Sequence, residues 1–211
     1  MTKGYQEIVG LCGFIGAGKD SIADYLVAEH GFKKESFASV LKDVCSVLFG
    51  WDRELLEGTT KASRAWREAP DTFWSEKLGI ENFSPRRAFQ LIGTDVLRRY
   101  FHNDIWILAV ERKLATLTSR RIVFSDCRFP NEIALIRKLG GVIIQVYRQP
   151  YPQWFVDQQH EQAHESETKW LAHVTSGDPR IDNDGSIPEL YSQVDNILKL
   201  KDSLAFYSGS K

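Results

Sequence analysis

Lys19 carries the most specific chemistry in the sequence. It closes Gly13-Phe14-Ile15-Gly16-Ala17-Gly18 and precedes Asp20 and Ser21, so residues 13–19 fit G-x-x-x-x-G-K. Glycines in such a loop let backbone N–H groups turn inward around a phosphate. The helix that follows adds positive potential, and the lysine ammonium bridges the β- and γ-phosphates. Gly13, Gly16, Ala17, Gly18, Lys19, Asp20 and Ser21 are therefore the expected nucleotide-phosphate site. The position after the lysine ordinarily holds a Ser or Thr whose hydroxyl binds Mg²⁺. Here Asp20 stands there, followed by Ser21, and both are candidate Mg²⁺ ligands together with Asp126.

Ser125-Asp126-Cys127-Arg128 follows the apolar run Arg121–Ser125. An acidic residue at the carboxyl end of a strand faces the ligand crevice of a parallel sheet, and an arginine beside it can grip phosphate. Glu132 lies at the start of the next helix, where it either hydrogen-bonds a base or sugar or caps the helix. A second constellation begins at Ser84-Pro85, a strong helix start. Arg86 or Arg87, Gln90, Thr94 and Arg98 recur at three- and four-residue steps and share one helical face. The arginines suit phosphate, and Gln90 and Thr94 suit a base edge. Gly93 inside that helix costs about 1 kcal/mol relative to alanine, which implies close approach of a ligand or another helix. Trp66 and Arg67 upstream, and Trp106 downstream, are a candidate clamp and stacking surface. Arg148, ending the run Val142–Tyr147, is placed to put a cation over transferring phosphates.

His160-Glu161-Gln162-Ala163-His164 is a literal H-E-x-x-H, with Glu189 as a conceivable third zinc ligand. Its polar surroundings (Gln158, Gln159, Glu165, Glu167) lack the apolar flank that buries a zinc helix, so a solvated segment is the better reading.

Elements must position these groups. Glu7–Cys12 reads as a buried strand, the glycine turn follows, and a helix runs from about Asp20 to Glu29. A short strand over Phe32–Phe37 and a helix over Ala38–Phe49 come next. Gly50–Phe83 reads as short helices. One helix then spans Ser84–Phe101, and another runs from Asn103 or Asp104 to about Thr118. Strand Arg121–Ser125, helix Pro130–Leu139 and strand Val142–Tyr147 complete a βαβ alternation. Beyond Arg148 the chain turns polar and aromatic with no core pattern, as a lid would, before a strand at Arg180–Asp182 and a helix over Pro188–Leu200.

The 211 residues suit one domain carrying insertions. Lys and Arg (27) nearly balance Asp and Glu (28), for a net charge of −1, which argues against nucleic-acid and membrane-surface binding. No apolar run approaches the roughly 18 residues that span a bilayer, and the start lacks a secretory segment. Three cysteines (Cys12, Cys45, Cys127), widely spaced, fit a reducing cytoplasm better than a disulfide scaffold.

Assembled, these segments resemble the tailed-phage deoxynucleoside monophosphate kinases from about Ile8 to Leu200. The resemblance is carried by GFIGAGKDS (Gly13–Ser21), RRAFQLIGTD (Arg86–Asp95), SDCRFPNE (Ser125–Glu132), VIIQVYRQP, HESE (His164–Glu167) and NDGSIPEL (Asn183–Leu190). It implies an α/β, three-layer P-loop kinase fold: a central, mostly parallel sheet of about five strands flanked by helices. Residues 50–118 would be a helical acceptor-binding region and 149–172 a lid, both insertions in one domain. It implies ATP and Mg²⁺, a deoxynucleoside monophosphate acceptor and residence in the cytoplasm, that of a bacterial host if phage-encoded; a homodimer is left open. Catalytic roles fall to Lys19, Arg87, Arg128 and Arg148, and substrate binding to Trp66, Arg67, Arg86, Arg87, Gln90, Thr94, Trp106, Asp126, Arg128 and Glu132. The family's loop is basic where Ile15 and Gly16 stand here, so a phosphate contact is expected from another arginine. The alternatives are a P-loop kinase of another phosphorylated small molecule, of dephospho-coenzyme A or phosphomevalonate type, and a nucleic-acid-associated ATPase.

Overall fold

A computed structural model describes residues 7–159 and 163–208, with residues 201–208 described by their backbone alone. Two compact units emerge: Phe37–Leu117, and the described residues on either side of it.

The flanking unit is built on a five-stranded sheet, β1 (Glu7–Gly13), β2 (Lys33–Glu35), β3 (Arg121–Phe124), β4 (Val142–Tyr147) and β5 (Arg180–Asp182). The order is β2-β3-β1-β4-β5, and every pairing is parallel. Ile8, Val9, Leu11 and Cys12 are all fully buried, as a near-continuous apolar strand must be when helices cover both faces of the sheet. Val9 and Leu11 join the core formed with α1 (Lys19–His30) and α11 (Ile187–Ser208). On the opposite face, a Cβ on Gly10 would lie 3.2 Å from Ile136 of α8 (Pro130–Lys138). The three layers of the expected fold are thus present. Because all strands are parallel, the turns after β1, β3, β4 and β5 gather at one edge, where ligands of such sheets bind.

The Phe37–Leu117 unit is helical: α2 (Ser39–Phe49), α3 (Arg53–Glu57), α4 (Lys61–Glu68), α5 (Thr72–Leu78), α6 (Pro85–Gln90), a wide π-helical segment over Leu91–Phe101, and α7 (Ile105–Thr116). Its short helices are specified at their starts. Asp52, Thr60, Asp71 and Ser84 each accept hydrogen bonds from backbone N–H groups of the helix they open. Leu41, Cys45, Trp51, Leu56, Phe83, Ala88 and Trp106 form its core. Three of its four indole N–H groups are tied to other residues: Trp51 donates to Asp71 at 2.8 Å, Trp74 to the Phe49 carbonyl at 3.0 Å and Trp106 to the Gly93 carbonyl at 3.0 Å.

The single α-helix expected over Ser84–Phe101 is corrected here: it stays α-helical only to Gln90 and then widens, the His102 N–H reaching back five residues to the Leu97 carbonyl at 2.9 Å. Packing at Gly93 accompanies the change. A Cβ there would sit 2.5 Å from Leu41 of α2, so the close approach read from Gly93 is to a helix.

Gly13, paired with Val146, carries the tightest constraint in the sheet: a Cβ would stand 2.3 Å from the Val146 carbonyl oxygen. Gly13→Ala is expected to cost about 3 kcal/mol through overpacking, a fall in Tm of roughly 6–12 °C by thermal unfolding without nucleotide. Melting within a degree or two of wild type would contradict the β1–β4 approach described here.

Candidate functional site

The glycine turn leaves β1 and is anchored by its own aromatic residue. Phe14 is 2% exposed, ringed by Tyr147, Tyr151, Trp154, Phe155 and Trp170 at centroid distances of 4.7–6.2 Å. Four of these rings come from the segment after Arg148, which was expected to lack a core pattern. It has none along its own helices, α9 (Gln153–Val156) and α10 (Glu165–Thr168). Its aromatics converge instead on one ring of another loop, and Trp170 is 1% exposed. The turn is pinned again from the far end of the chain. The Asn183 side-chain amide donates to the Ala17 carbonyl at 2.9 Å, while its backbone N–H donates to the Tyr147 carbonyl at 2.8 Å. A Cβ on Gly18, whose φ is +101°, would come 2.2 Å from that amide nitrogen, so glycine is required there twice over.

Lys19 folds back over this turn, its Nζ donating to the Gly13 and Phe14 carbonyls at 2.8 Å each. Burial, reinforced by the neighbouring Arg128, lowers its pKa to about 8. Asp20 is exposed in the first turn of α1, 3.0 Å from Lys34. Burial would raise its carboxyl pKa, but the charge and hydrogen bond of Lys34 and a hydrogen bond with Ser125 together hold it below the ordinary value. Ser21 is half-buried beside it, whereas Ile15 is 59% exposed.

The turn after β3 lies alongside, the Cys127 N–H donating to the Leu11 carbonyl of β1 at 3.3 Å. Asp126 accepts a hydrogen bond from Ser36 at 2.6 Å. Glu132 is 2% exposed, and one of its carboxylate oxygens accepts from the Arg128 and Phe129 N–H groups at 2.7 and 3.1 Å. These contacts cap the start of α8. The Arg128 side chain pairs with Glu167 of α10, which keeps it cationic despite burial. Lys19, Asp20, Asp126 and Arg128 are thus gathered at the carboxyl edge of β1 and β3. Arg148, at the end of β4, is exposed.

The acceptor candidates lie within the helical unit. Arg86 is half-buried and 3.7 Å from Glu68. Arg87 is exposed, Gln90 half-buried, and Thr94 and Arg98 buried. The polar face read from their spacing therefore turns inward along its length, with Arg98 donating to the Asn103 carbonyl at 3.3 Å. Arg67 lies across Gly58 and donates to the Glu57 carbonyl at 3.3 Å. Trp66 meets Trp51 edge to face at 6.3 Å, and Trp106 is 4% exposed in the core.

His160 and Glu161 of the H-E-x-x-H run lie outside the described residues. The second histidine, His164, caps α10, its Nδ1 accepting from the Ser166 N–H at 3.2 Å. Among the described residues no group of three His, Cys, Asp or Glu side chains is arranged for a metal. The oxygen donors Asp20, Ser21 and Asp126 nevertheless suit Mg²⁺, a hard cation that takes one or two carboxylates and completes its shell with water and phosphate oxygens. No described helix is long and apolar enough to cross a membrane.

Sequence reading passed over Phe14, Trp170 and Ser36. It quoted Glu167 and Asn183 only within longer motifs, and no local spacing signals contacts made across 39 and 166 residues.

The profile of the deoxynucleotide monophosphate kinase family matches residues 60–194. That span begins after the glycine turn, so the profile match and the phosphate-loop reading are independent observations. A relative from Acanthamoeba polyphaga mimivirus, named as a deoxynucleotide monophosphate kinase, is 32% identical over 198 residues, 89% of this chain and 93% of its own. The deoxynucleoside-5'-monophosphate kinase of Escherichia phage T5 is 26% identical over 181 residues, 62% of this chain and 72% of its own. Among solved structures, a gluconokinase from Sinorhizobium meliloti 1021 superimposes with a TM-score of 0.48 at 12% identity, covering 97% of this chain and 98% of that one. That likeness is too loose to bear on function. The profile match over most of the chain and the near full-length mimivirus relative place the chain in one family: it belongs to the deoxynucleotide monophosphate kinases.

Proposed function

We propose that the chain phosphorylates deoxynucleoside monophosphates to diphosphates by in-line transfer of the γ-phosphoryl group of ATP. The observation that carries this reading is the pairing, within one family member, of a phosphate loop ending in a part-buried Lys19 with Arg128 beside it.

The acceptor is a phosphate monoester whose second pKa is about 6, so it is a nucleophile at pH 7 without a general base. The protein's task is positioning and neutralisation of charge. Lys19 and the backbone N–H groups at the start of α1 hold the donor phosphates. Asp20, Ser21 and Asp126 hold Mg²⁺, which when bound neutralises charge on those phosphates. Arg128 supplies the cation that Ile15 and Gly16 do not. Arg67, Arg86 and Arg87 bind the acceptor phosphate, and Gln90 and Thr94 meet its base. The 149–172 segment, anchored on Phe14, shields the transfer from water, with Arg148 at its entrance.

Incubation with ATP, Mg²⁺ and each deoxynucleoside monophosphate in turn, followed by chromatographic identification of products, is expected to give the matching diphosphates. Failure to form a diphosphate from any of them would overturn the reading. Lys19→Ala is expected to lower kcat/KM by roughly 10²–10³, with the melting temperature retained. Its ammonium form is the competent one, and with a pKa lowered to about 8 that form is lost from about pH 8 upward rather than above pH 10. The kcat/KM for ATP, which reports the free enzyme, should therefore fall about tenfold per pH unit above that point. At saturating ATP the bound anion keeps the proton on Lys19, and kcat should stay flat to higher pH. The groups facing Lys19 (Cys12 of β1, Asp20 of α1, Arg128 and Glu167) set the midpoint. A kcat/KM profile level from pH 7 to 10 would contradict this role.

A further inference from the structure

Arg128 is fixed at two points. Its backbone N–H is held by the buried Glu132 carboxylate at 2.7 Å. At the far end of its side chain, Nη1 donates to the Glu167 carboxylate and to the Ser166 carbonyl, the latter at 3.4 Å. Nε and Nη2 make no hydrogen bond to any described residue. One corner of the guanidinium is tied down, and the Nε–Nη2 edge, which presents two parallel N–H donors to an oxyanion, is left over.

The residue that ties it down is itself indexed to the phosphate loop. Glu167 lies on α10, whose start is capped by His164. Its carbonyl accepts from the Trp170 indole N–H at 3.0 Å, and the Trp170 ring packs 5.3 Å from Phe14 of the loop. A chain of direct contacts thus runs from Phe14 through Trp170 and Glu167 to Arg128. A side chain with arginine's rotamer freedom, left untethered, would have to be ordered at each binding event.

We propose that Glu167 is a positioning residue for phosphoryl transfer: it pins Nη1 of Arg128 so that the Nε–Nη2 edge is preset as a bidentate donor to a phosphate. The proposal rests on the phosphoryl-transfer reading above. Glu167 keeps its pair with Arg128 when phosphate is bound, because the two anions engage different edges of one guanidinium. Its charge also offsets the repulsion between Arg128 and Lys19.

Steady-state kinetics with ATP and a deoxynucleoside monophosphate test this in a double-mutant cycle of Arg128→Ala, Glu167→Ala and the double variant. Glu167→Ala is expected to lower kcat by about 10- to 100-fold, the cost of a misplaced catalytic group, and to raise the acceptor KM. Glu167→Gln, which keeps an acceptor oxygen and the packing but not the charge, should lose less. The double variant should match Arg128→Ala far more closely than the product of the two single losses, because pinning Nη1 has no effect once the guanidinium is gone. Should Glu167→Ala fail to fold, Glu167→Gln completes the same cycle. A loss in the double variant that multiplies the two single losses would overturn the proposal, as would unchanged or improved turnover in the Glu167 variants. A wild-type protein that transfers no phosphoryl group would instead overturn the functional reading, and the proposal with it.

Discussion

Lys19 and Arg128 repel each other, and much of the sheet unit serves to keep them side by side regardless. Under the proposed function, each alone could reach a phosphate from many places, and together they converge on one ligand. Lys19 is fixed by two carbonyls of its own loop, and its lowered pKa records what proximity to Arg128 adds to burial. Arg128 is held through its backbone by Glu132 and through its side chain by Glu167. Two carboxylates from different elements thus hold one cation. The arrangement is assembled during folding and, under the proposed function, amounts to electrostatic preorganisation that leaves little reordering for the moment of transfer.

Aromatic packing plays the corresponding part for shape. Phe14 is a side chain of the phosphate loop that takes no part in phosphate chemistry, yet its ring gathers Tyr151, Trp154, Phe155 and Trp170 from a segment otherwise rich in charge. The helical unit uses the same device. Phe49, Trp51, Trp66, Trp74 and Phe83 interlock there, and short helices, too brief to be stable alone, are held by caps at one end and indoles at the side.

Much of this was legible in the sequence because it is local. The glycine loop, the strand before it and the helix after it sit within residues 7–30, and the central strands β1, β3 and β4 are legible because parallel strands buried on both faces are largely apolar, whereas the edge strands β2 and β5 are short and mostly polar and lack that signal. What stayed hidden is long-range or depends on geometry that spacing does not encode. Glu167 and Asn183 were visible as letters in motifs, but their partners lie far along the chain. Phe14 reads as a spacer inside the glycine run until the rings that enclose it are known. At Gln90 the pattern of three- and four-residue steps gives no warning that the helix widens. Thr94 and Arg98, four residues apart in the widened segment, are both buried.

The tie from Asn183 to Ala17 joins two of the first and last pieces of the sheet unit to be synthesised. The glycine turn is made before everything that braces it: its β4 neighbour (Val142–Tyr147), its Trp170 cover and the Asn183 amide all follow it by well over a hundred residues. A nascent chain stalled before β5 therefore carries the complete loop sequence without the Asn183 brace that closes it.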